Sequence, residues 1–475
     1  MRRITGTTVY TYAACPRAAE LDLHEDRSKR RPLTAAEELV RQRGRELEAM
    51  RTADLGYAEP GFERGEWDEG ARQTQSFLQE GVAGVMQAVL LDGDWLGVPD
   101  LLRKEAGASA LGDFHYVVGD VKSSSMARAD QALQVAFYGR LLARVQDRPP
   151  SYGFLWLKDG REQRLPLAEL DPVLDDVLDR LVALARGKAD IERPFLSSSC
   201  GRCHWSTACA ATLVASEDLS LLDGMTRGLR SALAAVGVRR VSDLASAGVE
   251  RLCRRAHLES ALVRRLQLSA RAFAAGEVLP VPDAAETARI ESSAACVHVL
   301  VDTFAERLLC VGASWCQSGR ARRVVRVPAT PAQAWDAFQE VVAAVPASAS
   351  LLHWGGALPS WFRLASHAHL GDVDLHGRLV DVSRRLRGVV AFPRAVFGLR
   401  DAVGAGLQRD PDRAGEAEAA PLWVEMADGR ERLLAKMEQD LDDLEALVAR
   451  HLLPAAAAAP QAESPGCASV DMGGV

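Results

Sequence analysis

The chain has 475 residues, 48% hydrophobic and 25% charged, with a formal net charge of −7 at pH 7. Those are ordinary globular values, and the length predicts two to four domains. No apolar run approaches the roughly 18 residues that a membrane span needs, and the opening Met-Arg-Arg-Ile-Thr leads into no apolar signal-peptide core. The expectation is a cytoplasmic protein without membrane contact. In that reducing setting cysteines are more often metal ligands or buried apolar groups than disulfides. The acidic balance counts against bulk coating of nucleic acid. It leaves room for a local basic groove beside a cation-loaded acidic site.

In chain order, residues 1–215 read as helix, strands, helix and then a cysteine cluster. Thr34 and Glu37 form a capping box, which predicts a helix over about 35–51. Gly44 and Glu48 are four apart on it and share a face. A glycine there costs about 1 kcal/mol against alanine, which points to close approach of another backbone. Taken alone, Glu48 reads as one solvated acid in a charged run.

Gly97-Val98-Pro99-Asp100 follows, and then an alternating strand ending in Asp120-Val121-Lys122. Strand side chains alternate faces, so Asp120 and Lys122 point the same way. Carboxylates hold a hard cation through oxygen, which stabilises charge on a phosphate and activates a water. A lysine beside them orients or deprotonates that water, or neutralises the charge that develops. In the next helix Leu133, Phe137 and Leu141 form the buried stripe, and Gln134 and Tyr138 lie on an adjacent face. That pair reads either as the polar edge of an amphipathic helix or as the lining of a cleft beside the metal.

Cys200, Cys203 and Cys209 are spaced C-x2-C-x5-C, and Cys15 stands far upstream. A zinc ribbon would show two C-x2-C pairs. A Cys3His zinc site using His204 strains tetrahedral geometry, because Cys203 and His204 are adjacent. Cys253, Cys296, Cys310 and Cys316 show no ligand spacing and read as packing residues, and Cys467 as part of the tail.

Residues 216–275 read as short helices with turn glycines at Gly224 and Gly237 and many arginines, among them Arg227, Arg230, Arg239, Arg240, Arg254 and Arg255. This is either a helical linker with a solvated arginine face or a phosphate-contacting module. Residues 276–289 hold two prolines without periodicity and read as a linker. Strands return from 290, and the Ala/Pro/Gly-rich tail 454–475 is expected to be disordered.

Taken in order, Gly44-x-x-x-Glu48, Gly97-x-Pro99-Asp100, Asp120-x-Lys122 and Gln134-x-x-x-Tyr138 resemble the motifs of RecB-like PD-(D/E)xK nucleases over about residues 1–215. The resemblance implies a restriction-endonuclease-like α/β core, a mixed sheet flanked by helices. It implies Mg²⁺ or Mn²⁺ held by Glu48, Asp100, Asp120 and the carbonyl of Val121. Lys122 would serve the nucleophilic water, with Gln134 and Tyr138 ordering the site. The cysteine pattern resembles that of the AddB-like iron–sulfur nucleases, which implies a [4Fe–4S] cluster on Cys15, Cys200, Cys203 and Cys209. Such a cluster would close a loop of nearly the whole domain.

Residues 216–275 resemble a helix–hairpin–helix segment. Residues 290–453 resemble an RNase H-like, DnaQ-type exonuclease domain. In that second domain Asp302 matches the first acid and Asp440 the last, on a late helix with Glu438. Phe304 stands where a glutamate is required, and His353–Phe362 lacks the middle aspartate, so this domain is expected to be catalytically dead. Asp372 and Asp374 are candidates to compensate, but they sit in the loop-like stretch 369–377 and are not expected to. The implied function is a deoxyribonuclease acting on single-stranded DNA or ends, alone or with a helicase or a repair or defence partner. The alternative is a non-catalytic nucleic-acid-binding subunit of such a complex.

Overall fold

The computed structural model describes residues 3–63, 65–188, 193–282, 284, 290, 293–366, 369, 375, 377–408, 420–423 and 426–453. Asp372, Asp374, Cys467 and the tail 454–475 lie outside the described residues. The chain divides into two compact units, Met1–Pro194 with Cys200–Ala208, and Phe195–Ser199 with Cys209–Val475. Both are mixed α/β. Among the described residues no helix is long and apolar enough to cross a membrane.

The first unit opens with β1 (Ile4–Thr5), α1 (Gly6–Ala14) and α2 (Pro16–His24). Thr5 caps α1 by accepting from the Thr8 N–H at 3.1 Å. Pro16 opens α2, where its missing N–H costs nothing. α3 (Ala35–Thr52) carries the expected capping box: Thr34 accepts from the Glu37 N–H at 3.2 Å, and Glu37 from the Thr34 N–H at 2.8 Å. Gly44 on α3 does not serve close packing, because a Cβ there would meet nothing within 4 Å. Indeed no residue of α3 is fully buried. Polar contacts hold this helix, so its sequence shows no apolar stripe.

After α4 (Trp67–Glu80) come β2 (Gly84–Met86), β3 (Leu90–Asp92), β4 (Trp95–Gly97), β5 (Leu101–Ser109), β6 (Gly112–Val121), α5 (Ala129–Gln146), β7 (Gly153–Trp156), β8 (Glu162–Leu165) and α6 (Leu167–Ala185), and then α7 (Ser206–Ala215), most of which belongs to the second unit. The main sheet has the order β2-β5-β6-β7-β8, and a small sheet has the order β1-β4-β3. In the main sheet only β6 and β7 pair in parallel. A parallel pair needs a crossover, and α5 supplies it.

β6 was expected to alternate between buried and exposed residues, and it does not: His115 to Asp120 are all buried. One face of the sheet meets α5, where Tyr116 and Val118 pack with Phe137 and Leu141. The other face is covered by Val117, Leu101 and Phe154, with Leu55, Tyr57 and Trp156 around them. A strand covered on both faces loses its polar alternation.

In the second unit α8 (Arg227–Ala235), α9 (Val241–Ser246), α10 (Val249–Ala256) and α11 (Ser260–Ala275) form a helical layer around Leu219, Leu233, Leu244 and Leu266. Gly224 and Gly237 take left-handed φ values of 77° and 88°, so these turns need glycine. β9 (Leu279–Pro280) follows, inside the stretch read as a linker. β10 (Ala294–Asp302), β11 (Arg307–Gln317), β12 (Arg320–Arg326), α12 (Ala334–Ala344), β13 (Ser350–His353), α13 (Ala357–Ser366), β14 (Leu379–Asp381), α14 (Val382–Val389) and β15 (Val390–Ala391) come next. α15 (Leu399–Gly406), α16 (Ala420–Trp423) and α17 (Gly429–His451) complete the unit. β9 pairs antiparallel with β15.

The five-stranded sheet here has the order β12-β11-β10-β13-β14, with β10–β13 and β13–β14 parallel and the other pairs antiparallel. β10 alternates between two cores. Ala295, Val297 and Val299 meet Trp335, Phe338 and Val341 of α12, while Cys296 and Leu300 join the core of Met437, Leu441 and Leu444 of α17. Cys296 and Cys310 are buried, as expected of packing residues. Cys316 is exposed, because it lies past the point where β11 leaves the core, and is no packing residue.

Candidate active site

Four separate elements bring the predicted residues of the first unit together. Asp120 and Lys122 stand at the end of β6 and its exit, on the parity of Tyr116 and Val118, and so face α5. Asp120 is 2% exposed, and its Oδ2 is paired with the Lys122 ammonium. Lys122 also donates to Gln134 Oε1 at 3.1 Å, and Gln134 Nε2 donates to the Tyr138 hydroxyl at 2.8 Å. Gln134 and Tyr138 are thus joined by hydrogen bonds to the Asp120–Lys122 pair.

Asp100, just before β5, accepts at Oδ2 from the Val121 N–H at 2.8 Å. That bond ties the two strands together at the site. Glu48 reaches in from α3 and accepts at Oε1 from Gln87 Nε2. The same amide donates to Asp100 Oδ1 at 3.4 Å. Glu48 is therefore half-buried and partnered, not a solvated acid.

Burial, then the nearby Asp120 carboxylate, holds the Glu48 carboxyl above its ordinary range. Burial and Asp120, with Glu48 adding to them, push Asp100 well above its ordinary range. Burial alone would lower Lys122, but Asp120 and Asp100 outweigh it and raise its pKa, so Lys122 is an ammonium at neutral pH. Burial and the two aspartates push Tyr138 well up, so its hydroxyl stays protonated.

Tyr138 is positioned by two glycines. A Cβ at Gly6 would run into the Tyr138 ring, and one at Gly97 would lie 3.0 Å from its Cδ1. Gly97 in the Gly-x-Pro-Asp motif thus makes room for α5. Gly6→Ala is expected to destabilise the first unit by about 1–3 kcal/mol, as overpacking does. Urea denaturation monitored on that unit measures it.

Among the described residues, no group of three or more His, Cys, Asp or Glu side chains is drawn together closely enough to hold a metal ion as it stands. Gln87 instead contacts Glu48 and Asp100, and Lys122 pairs with Asp120. The donor set nonetheless fits a hard divalent cation: the carboxylates of Glu48, Asp100 and Asp120 lie near one another, and burial and mutual repulsion raise two of them.

Cys15 forms the joint between α1 and α2, its N–H donating to the Thr11 carbonyl at 2.8 Å. Cys200 and Cys203 lie in a short turn closed by the Cys203 N–H on the Cys200 carbonyl at 3.1 Å. Burial raises the Cys203 thiol, with Cys15 and Cys200 close enough to add to it. Cys209 lies on α7.

Arg31 braces this turn. It donates to the Cys203 carbonyl at 3.1 Å and the Gly201 carbonyl at 3.0 Å, and its two Nη atoms hold Glu37 at 2.8 and 2.6 Å. Arg31 and Gln87 escaped the sequence reading. Neither belongs to a motif or a periodicity, and each matters only through partners distant in the chain.

Glu37 is held down to about 2 from 4.5 by the Arg31 hydrogen bonds, with further help from the Thr34 N–H. A depressed carboxyl contributes stability above its unfolded value and loses it as pH falls through its folded value. The brace is therefore expected to hold at neutral pH and to weaken between pH 4.5 and about 2. Glu37→Gln should flatten that part of the acid-unfolding curve.

In the second unit Asp302 is fully buried, accepts from the Phe304 and Ala305 N–H groups at 3.0 Å each, and lies 3.6 Å from Arg307. Asp440 is buried against Lys436 and 3.3 Å from the His298 ring. Burial would raise the Asp440 carboxyl, but His298 and Lys436 outweigh it and hold it low. Both acids matched to the exonuclease pattern thus carry protein partners.

Of the arginines in 216–275, Arg230 pairs with Asp218 at 3.1 Å and Arg227 lies over the Phe195 ring. Arg239, Arg240, Arg251, Arg254 and Arg255 are exposed, without a salt bridge among the described residues. No family model matches the chain, and no curated protein matches it.

Proposed function

We propose that this chain is a divalent-metal-dependent nuclease that hydrolyses DNA phosphodiester bonds, with single-stranded DNA or ends as substrate. The observation that carries the reading is the convergence of Glu48, Asp100 and Asp120 with Lys122 in one site. The unit's helix–sheet order, with α5 crossing between parallel β6 and β7, supports a restriction-endonuclease-like core of the RecB type. Bound at Glu48, Asp100, Asp120 and the Val121 carbonyl, Mg²⁺ or Mn²⁺ would stabilise phosphate charge and activate a water. Lys122, held by Gln134, presents a positive charge to the phosphate and orients the attacking water. The exposed arginines of 239–255 offer contacts for a nucleic-acid backbone in their own right.

In this reading Cys15, Cys200, Cys203 and Cys209 hold a [4Fe–4S] cluster, with Arg31 bracing the loop. The strand order of the second unit supports an RNase H-like domain. Asp440, neutralised by Lys436 and His298, supports its loss of activity. Lys436→Ala is expected to destabilise that unit by about 1–3 kcal/mol, because it removes one of two partners of the buried Asp440 carboxylate and leaves His298 as the other, and to leave cleavage unchanged. Calorimetry and a nuclease assay check the two halves.

A non-catalytic nucleic-acid-binding subunit is the rival, favoured by the closure of the acidic site on Gln87 and Lys122. Metal-dependent cleavage of end-labelled single- and double-stranded DNA by anaerobically purified protein decides between them. Binding without cleavage would sink the nuclease reading.

A further inference from the structure

Gln87 follows β2 with φ of 47°, a left-handed backbone for a residue with a side chain. That conformation is disfavoured by about 1–2 kcal/mol, and such outliers persist where surrounding structure holds them, often at functional sites. Here the hold is visible. The Gln87 N–H donates to the Asp100 carbonyl at 3.1 Å, and the Met86 N–H before it donates to the Ala58 carbonyl at 2.8 Å. The backbone is fixed to the same aspartate that the side chain contacts. The freedom left is in the side chain, whose amide nitrogen lies between Glu48 Oε1 and Asp100 Oδ1.

We propose that Gln87 belongs to the cation site, its amide turning over on metal binding so that Oε1 replaces Nε2 between Glu48 and Asp100. The inference rests on the metal-dependent reading of this site. An amide has two ends of nearly one shape and opposite polarity. With nitrogen inward, its N–H groups offset the repulsion between carboxylates that burial and Asp120 already burden. With oxygen inward, the same side chain offers a hard, uncharged ligand of the kind Mg²⁺ and Mn²⁺ take. Rotation about the last side-chain bond achieves the exchange without backbone movement. A glutamate here would supply the oxygen but crowd a fourth carboxylate into the metal-free site. Glutamine serves both states.

The test is Mn²⁺ titration of the full-length protein, followed by loss of the free-ion electron paramagnetic resonance signal, with melting temperatures taken with and without Mn²⁺. Gln87→Met keeps length and bulk but neither donates nor ligates a hard ion, and is expected to weaken Mn²⁺ binding about tenfold. Gln87→Glu is expected to bind Mn²⁺ at least as tightly as wild type. Its metal-free form should melt below wild type and recover with Mn²⁺.

Wild-type affinity in Gln87→Met would overturn the proposal. Equal weakening in both variants would too, since Gln87 would then be only a donor between carboxylates. Asp120→Ala separates the levels. If wild type binds no Mn²⁺, or Asp120→Ala binds it as well as wild type, the cation-site reading itself has failed, and this inference with it.

Discussion

Asp120→Ala is expected to lower metal-dependent DNA cleavage by about 1,000-fold or more, equivalent to about 4 kcal/mol of transition-state stabilisation, with the fold intact. Three effects converge on this residue. Asp120 is the most buried carboxylate of the site and the one paired with Lys122. In the proposed mechanism its removal takes away a cation ligand. It also leaves the Lys122 ammonium with Gln134 as its remaining hydrogen-bond partner, so the lysine would lose the orientation that the proposed mechanism needs.

The fold survives because two changes oppose each other. Lys122 loses its counter-charge, while Glu48 and Asp100 lose the neighbour that, after burial, does most to raise their pKa values. The measurement is a product ladder on end-labelled DNA with Mg²⁺, Mn²⁺ or EDTA, beside a melting curve. A variant that cuts at the wild-type rate would move the chemistry elsewhere, and Asp302→Ala with Asp440→Ala would then be the next substitutions to assay.

Cys203→Ser is expected to remove the brown visible absorbance of anaerobically purified protein and to destabilise the first unit by at least about 2 kcal/mol, or about 4–8 °C in Tm. Burial raises the Cys203 thiol, and the nearby Cys15 and Cys200 contribute. Its carbonyl is also the one Arg31 holds. Losing the cluster would release the turn carrying Cys200 and Cys203 from the α1–α2 joint carrying Cys15. Metal analysis reads the outcome directly. Colourless wild-type protein with one zinc would favour the Cys3His alternative through His204, and protein with neither metal would remove both readings.

The sequence by itself determined the local parts. The Thr34–Glu37 box fixed the start of α3, because both hydrogen bonds of a capping box run between residues three apart. The i, i+4 spacing put Gln134 and Tyr138 in contact on α5. The period of two aimed Asp120 and Lys122 at one face. Gly224 and Gly237 marked turns, which take positive φ.

Tertiary structure decided what depends on partners far apart in the chain. β6 lost its alternation because both faces of its sheet are covered, and Gly44, which looked like a packing glycine, faces open space. Cys316 spaces like a packing residue yet lies beyond the core. Arg31 bonds to a turn some 170 residues away, and Gln87 to acids on α3 and just before β5. Short-range hydrogen bonds and periodicity leave a pattern in neighbouring letters. A long-range polar contact joins residues whose spacing follows no repeat, so only the folded chain brings its members together.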